Sequence, residues 1–173
     1  MADLKFNRDG LVATLTLNWP ERLNAFSDEM LRELMAALEE LEDLEELAAD
    51  TAIGAIVLTD AGRAFCAGGD MKAMVIRAVR TQEQRIDDLL WKQRIPLALK
   101  QHLKPMINGS AFGAGFGIAL ACDLSLAADS AKFGTAFVKI AFSGDFGGTY
   151  TLTHLLGTAK VRELYPLGDI LTA

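Results

Sequence analysis

Two glycine-rich stretches, GRAFCAGGD at residues 62–70 and NGSAFGAGFG at residues 108–117, contain the residue types best suited to chemistry in this sequence. In each, an apolar run ends, small residues turn the chain and a helical pattern begins. The first N–H groups of a helix have no intrahelical partner and sit at the positive end of its dipole, so they stabilise a negative oxygen. Glycine and alanine leave that backbone open to a ligand. One such turn is also what ordinary packing produces. Two separate turns can aim their amides at a single carbonyl oxygen, the arrangement that stabilises charge gathering there in a transition state.

Other chemistries find less support. Neither stretch fits the phosphate loop GxxxxGK[ST], and GAGFG lacks the glycine spacing and acidic partner of a dinucleotide site. Cys66 and Cys122 form no CxxC and have no paired histidine, so neither zinc nor a disulfide framework is signalled, and a reducing, cytoplasmic setting is expected. His102 and His154 stand apart from any triad-like arrangement and read as structural. Trp19 and Trp91 read as packing anchors.

The chain's 173 residues, 51% hydrophobic and 23% charged, suit a single globular domain over residues 1–173. A formal charge of −6 with no basic run argues against nucleic acid as a partner. A local pocket can still hold an anion. The start, MADLKFNRDG, is charged, and the most apolar window, AFGAGFGIALAC, is short and broken by glycine; neither a signal peptide nor a membrane span is expected.

Several elements must position the two turns. A hairpin is expected from LKF and LVATLTLN, with the turn at Asp9 and Gly10 and with Leu11, Ala13, Leu15 and Leu17 on one face. Pro20 stops it, and ERLNAF leads to Ser27, the N-cap of a helix with Asp28 and Glu29 in its first turn. Met30, Leu31, Leu34, Leu38, Leu41 and Leu44 recur at helical spacing and carry that helix to about Ala49, with EELEDLEEL as a solvated outer face. Residues 53–58 read as a strand covered on both sides, and a helix is expected from Asp70. Residues 82–102 read as helix, kinked or split at Pro96. A short strand at 105–107, a helix ending near Cys122, an alternating strand over 123–128 and a strand in AKFGTAF follow. YTLTHLL and AKVRELY read as two short helices. Alternating strand, turn and helix predict a layered α/β fold.

With these residues in view, the chain resembles the crotonase, or enoyl-CoA hydratase/isomerase, superfamily. The matching stretches are LTLNWPERLNAFSDEM, IVLTDAGRAFCAGGDMKAM, NGSAFGAGFGIALACDLSLAADSAKFG and GDFGGTYTLTHLLGTAKVREL, in family order over nearly the whole chain. The resemblance implies a crotonase-like spiral of β-β-α units with layered sheets and surrounding helices. It also implies an acyl-CoA thioester whose carbonyl oxygen lies between the N–H groups of Gly69 and Ala114, where an enolate is stabilised. Arg22, Leu23 and Ala25 would meet the nucleotide end of coenzyme A, although Arg22 taken alone reads equally as a solvated loop residue. Ala67, Gly68, Asp70 and Met71 would lie beside the pantetheine and thioester, and Phe112 and Phe137 complete the implied substrate contacts. Coenzyme A enters as part of the substrate, with no permanently bound cofactor and no metal. A homotrimer or dimer of trimers is implied.

The superfamily's hydratases commonly use two glutamates, and the matching positions here are Gly117 and Phe137. Asp145 in SGDFGGT matches the aspartate of members resembling enoyl-CoA and ring-epoxide isomerases, so the resemblance implies isomerisation with Asp145 as the proton shuttle. Read without the resemblance, Asp145 is a turn or N-cap residue. Phe137, Phe142 and Phe146 are expected to give its carboxyl an apolar setting that disfavours the charged form. Hydration or dehydration, and acyl-CoA binding without catalysis, are the alternatives. KPMING is shorter than the family's strand between Lys-Pro and Asn-Gly. The chain stops at LGDILTA, where relatives continue into a helical segment that closes the acyl pocket and builds the trimer; that segment is expected to be lacking.

Overall fold

A computed structural model describes residues 3–47, 53–77, 79–99, 103–107, 109–144 and 146–173. Strands β1 (Leu4–Asp9) and β2 (Val12–Leu17) form the expected antiparallel hairpin. Its turn falls one residue later than expected, at residues 10 and 11. Asp9 still pairs with Val12, and Gly10 takes the positive φ of 58°. Ala13, Leu15 and Leu17 are buried as the alternation requires, whereas Leu11, now in the turn, is exposed.

Ser27 Oγ accepts the Met30 N–H at 2.9 Å and starts helix α1 (Asp28–Leu47). Met30, Leu31, Leu34, Leu38 and Leu41 are buried in the same core as Leu15 and Leu17. The expected end at Ala49 lies outside the described residues. Strand β3 (Ala55–Asp60) runs parallel to β2 and ends two residues later than the apolar run suggests. Backbone pairing explains the shift: the N–H groups of Gly54 and Ala55 donate to the Leu11 carbonyl, and the ladder continues through Thr59 and Asp60 despite their polar side chains.

Asp70 precedes helix α2 (Met71–Arg77) rather than beginning it, and α3 (Gln82–Leu99) passes through Pro96 as one helix. Buried Lys92 on α3 places Nζ 2.6 Å from Asp88 and 3.8 Å from Asp28 of α1, an ion cluster that links the two helices. His102 lies outside the described residues. Strand β4 (Leu103–Ile107) is longer than expected and runs parallel to β3. Then come β5 (Ala111–Phe112), α4 (Ala114–Ala121), β6 (Leu126–Ala127) and β7 (Lys132–Gly134). The strand expected over 123–128 is reduced to β6, whose residues are exposed at the edge of the sheet. Ser125 Oγ donates to the Ala119 carbonyl of α4, which draws the preceding residues away from the sheet.

Helix α5 (Gly148–Leu167) contains both expected short helices, separated at Gly157, whose φ of 76° and ψ of 163° break the helix. Strand β8 (Leu171–Thr172) pairs with β7. One sheet has the order β1-β2-β3-β4-β6, parallel beyond the hairpin, and the other β5-β7-β8. Parallel bridges Phe26–Gly69 and Cys66–Ala111 extend the second layer backwards along the chain. Each successive unit therefore gives a strand to one layer, a strand or bridge to the other, and a helix: the α/β spiral that was expected. Among the described residues no helix is long and apolar enough to cross a membrane.

Leu58 is fully buried in β3. Leu58→Ala should lower the unfolding free energy by about 2–5 kcal/mol, and Ser27→Ala by about 1 kcal/mol through loss of its cap. Urea denaturation with unchanged m-values would check both.

Candidate active site

The loop that follows β2 is fixed by a buried amide. Asn24 is 0% exposed, with Oδ1 accepting the Trp19 N–H at 2.7 Å and Nδ2 donating to the carbonyls of Ala61 at 2.9 Å and Ala64 at 2.8 Å. These bonds tie residues 19–24 to the turn after β3. Sequence reasoning assigned Asn24 nothing; its signal was an amide side chain next to Ala25 in a loop, where asparagine tolerates the left-handed φ of 53° it adopts. From there the chain runs alongside residues 67–70: Ala67 N–H donates to Leu23 O, Phe26 N–H to Gly68 O, and Asp70 N–H to Phe26 O. Leu23, Ala67, Gly68 and Asp70 thereby lie on two adjoining segments, with Ala25 on the first of them. Arg22 is exposed, its guanidinium 5.9 Å from the centre of the Trp19 ring. Trp19 and Trp91 pack partly buried against the core, as anchors should. Met71 is exposed, and Asp70 Oδ1 accepts the Lys72 N–H at 3.0 Å, capping α2.

The two glycine-rich turns lie against each other. Cys66 N–H donates to Ser110 O at 3.2 Å and Phe112 N–H to Cys66 O at 2.9 Å. A Cβ on Gly68 would stand 3.1 Å from Phe112 O and 3.7 Å from the Ala114 nitrogen, and one on Gly115 would stand 2.5 Å from Cys66 Cβ. Neither glycine tolerates a side chain without spreading the turns. Gly113, at φ 53° and ψ −121°, holds a conformation suited to glycine as it leads into α4. The N–H groups of Gly69 and Ala114 take part in none of the hydrogen bonds among the described residues. They are the two N–H groups that the family resemblance implies as donors.

The chain matches the model of the family described as "Enoyl-CoA hydratase/isomerase" over residues 7–173. It belongs to that family. It is 41% identical over 169 residues to 1,2-epoxyphenylacetyl-CoA isomerase of Escherichia coli, covering 94% of this chain and 61% of that protein. It is 33% identical over 161 residues to short-chain-enoyl-CoA hydratase of Clostridium acetobutylicum, covering 91% of this chain and 58% of that one. Among solved structures, an enoyl-CoA hydratase from Polaromonas sp. JS666 matches with a TM-score of 0.87 at 29% identity, over 98% of this chain and 65% of that one. The chain thus spans about three-fifths of the length of the curated relatives named here.

In this member of the family, both positions that the resemblance compares with a hydratase's glutamates are buried. Gly117 is buried in α4, and a Cβ on Gly148 would stand 3.5 Å from its Cα, so the two helices meet through small residues. Phe137 is buried, stacks on Tyr165 with ring centres 6.1 Å apart, and borders Gly113. Phe112 is half-buried beside Gly134. Asp145 lies outside the described residues. Phe146 is buried and packs against Phe26, whereas Phe142 is 55% exposed; the apolar setting expected for the Asp145 carboxyl itself lies outside the described residues.

A cavity of about 560 Å³ between α3, α4 and α5 is lined by Pro96, Leu97, Leu120, Cys122, Tyr150 and His154 among others, and by none of the expected site residues that the structure describes. His154 Nδ1 lies 2.9 Å from the Tyr150 carbonyl within α5, consistent with a structural role. Among the described residues no group of three or more His, Cys, Asp or Glu converges to hold a metal.

Burial pushes the Cys66 thiol up to about 12 against an ordinary value of 9.0. Burial, with the Asp123 charge adding to it, pushes Cys122 up to about 12 as well. Both thiols stay neutral at pH 8, so alkylation by iodoacetamide should be much slower in the folded protein than after unfolding in guanidinium. The stability these neutral thiols contribute is complete below pH 9.0 and declines as pH rises towards about 12, since only the unfolded thiols ionise readily there. Asn24→Ala, which leaves buried carbonyls and an amide unpaired, should cost about 3 kcal/mol or more in urea denaturation.

Proposed function

We propose that the protein processes acyl-CoA thioesters, holding the thioester carbonyl oxygen between the N–H groups of Gly69 and Ala114, and that its reaction is enoyl-CoA isomerisation of the Δ3-to-Δ2 or ring-epoxide type. The observation that carries this reading is the close seating of the two turns, with neither of those N–H groups hydrogen-bonded among the described residues. Loss of a proton from the carbon beside a thioester moves charge onto its oxygen. Amides already aimed at that oxygen stabilise the charge without reorganising in the transition state.

The proton needs a carrier, and Asp145 is assigned that role. For a 3-enoyl thioester its carboxylate removes a proton from C2, the electrons spread through a dienolate onto the oxygen, and the same proton returns at C4 to leave the 2-enoyl product. Gly117 and Phe137 supply no second acid or base, which favours a reaction that needs one carboxylate. The 41% identity to 1,2-epoxyphenylacetyl-CoA isomerase supports the same choice.

Arg22, Leu23 and Ala25 are assigned to the nucleotide end of coenzyme A, where exposed Arg22 offers its charge to a phosphate. Ala67, Gly68, Asp70 and Met71 are assigned to the pantetheine and thioester, and Phe112 and Phe137 to the acyl portion. Coenzyme A is part of the substrate, and no resident cofactor is invoked. A cytoplasmic homotrimer, or a dimer of trimers, is the proposed assembly.

Hydration is the second reading, favoured by relatives named as hydratases such as that of Clostridium acetobutylicum. Asp145→Asn should lower isomerase turnover by about 10²–10⁴-fold while CoA-ester affinity changes little. Unchanged turnover would remove Asp145 from the mechanism. Incubating 2-enoyl- and 3-enoyl-CoA in ¹⁸O-labelled water separates the reactions: isomerisation leaves the product unlabelled, and label in a hydroxyl group would favour hydration.

A further inference from the structure

Cys66 touches both amide-bearing turns. Its sulfur accepts the Gly68 N–H at 3.3 Å and lies 3.7 Å from the Gly68 carbonyl, to which the thiol donates. Its backbone pairs with Ser110 and Phe112, immediately before Gly113 and Ala114. Its side chain also underlies the first turn of α4: a Cβ on Gly115 would stand 2.8 Å from the sulfur. Moving residue 66 therefore moves both turns.

We propose that Cys66 is a positioning residue for the Gly69 and Ala114 donors, its thiol occupying the Gly68 N–H so that the next amide, Gly69, is the one offered to substrate. The inference rests on reading those two amides as the thioester's donors. A chain turning through three small residues presents consecutive N–H groups that can compete for one oxygen. Giving Gly68 a partner within the protein removes that competition. It also pins the peptide plane leading to Gly69, while the packing of Gly115 on the same side chain sets the distance to the second donor.

The chemistry of the thiol agrees. It is wholly buried, and burial holds it protonated, so nucleophilic attack, metal binding and redox signalling are closed to it. A neutral S–H that both donates and accepts is what the Gly68 peptide can use. Valine puts a methyl group where the sulfur stands, adds a second one on Cβ and offers no hydrogen bond, so it would leave the buried Gly68 N–H unsatisfied. Serine restores the hydrogen-bonding capacity with a smaller atom.

The test is the vibrational spectrum of bound butyryl-CoA, with and without ¹³C at its thioester carbonyl, measured beside 3-enoyl-CoA turnover for the unmodified protein, Cys66→Val and Cys66→Ser. In the unmodified protein the carbonyl stretch should fall in frequency on binding. Cys66→Val should lose at least about half of that shift and about tenfold in kcat, with the butyryl-CoA Kd within about threefold, because a donor displaced by a fraction of an ångström loses alignment before it loses ligand. Cys66→Ser should recover most of both. A Cys66→Val protein that keeps its shift and its kcat within about twofold overturns the positioning role, the amides still polarising the carbonyl. An unmodified protein with no shift overturns the oxyanion reading itself, and the inference with it. Should the valine variant not fold, amide exchange in the unmodified protein decides: Gly68 N–H should be protected with or without butyryl-CoA, and Gly69 N–H only with it. Equal gains at both amides on binding would overturn the proposal.

Discussion

The structure depends on the backbone bridge between Cys66 and Ala111, where two segments some forty residues apart in sequence are held in parallel by amide–carbonyl bonds. Each segment ends in a turn of small residues, and the bridge brings those turns within van der Waals reach. Glycine at 68 and 115 is what permits the approach, since a Cβ at either would press on the opposite segment. Packing and the proposed function share one cause here. The residues that let the backbones meet are also those that leave amides open to a ligand.

Around that bridge the elements act as a frame. The parallel sheet β2-β3-β4 fixes where the two segments leave the first layer, and α1 covers it with a leucine-rich face. Asn24 then ties the loop before α1 to the turn after β3, so the first glycine-rich turn is held from both sides. On the far side, α4 is buried along nearly its whole length and meets α5 through Gly117 and Gly148. A Cβ on Gly148 would stand 3.5 Å from the Gly117 Cα, so the helix backbones approach closely there.

Much of this was legible in the sequence because it rests on local rules. The Ser27 cap, the alternation of Ala13, Leu15 and Leu17, and the strand–turn–helix pattern of both glycine-rich stretches all depend on neighbours a few residues away. What was not legible depends on pairing across the chain. The ends of β3 are set by register with β2 rather than by where its apolar residues stop, and the strand expected near Ser125 loses to a bond with α4. Asn24 looked like a loop polar residue because its three partners lie at 19, 61 and 64. Asp145, the carboxylate assigned to the proposed reaction, was singled out through resemblance; no spacing rule marks it.

A crystal structure with a bound, unreactive acyl-CoA addresses the central claim most directly. The account predicts the thioester oxygen within about 3.1 Å of both the Gly69 and the Ala114 nitrogen, in line with each N–H. An oxygen pointing to solvent, or held by one amide while the other is turned away, would contradict it.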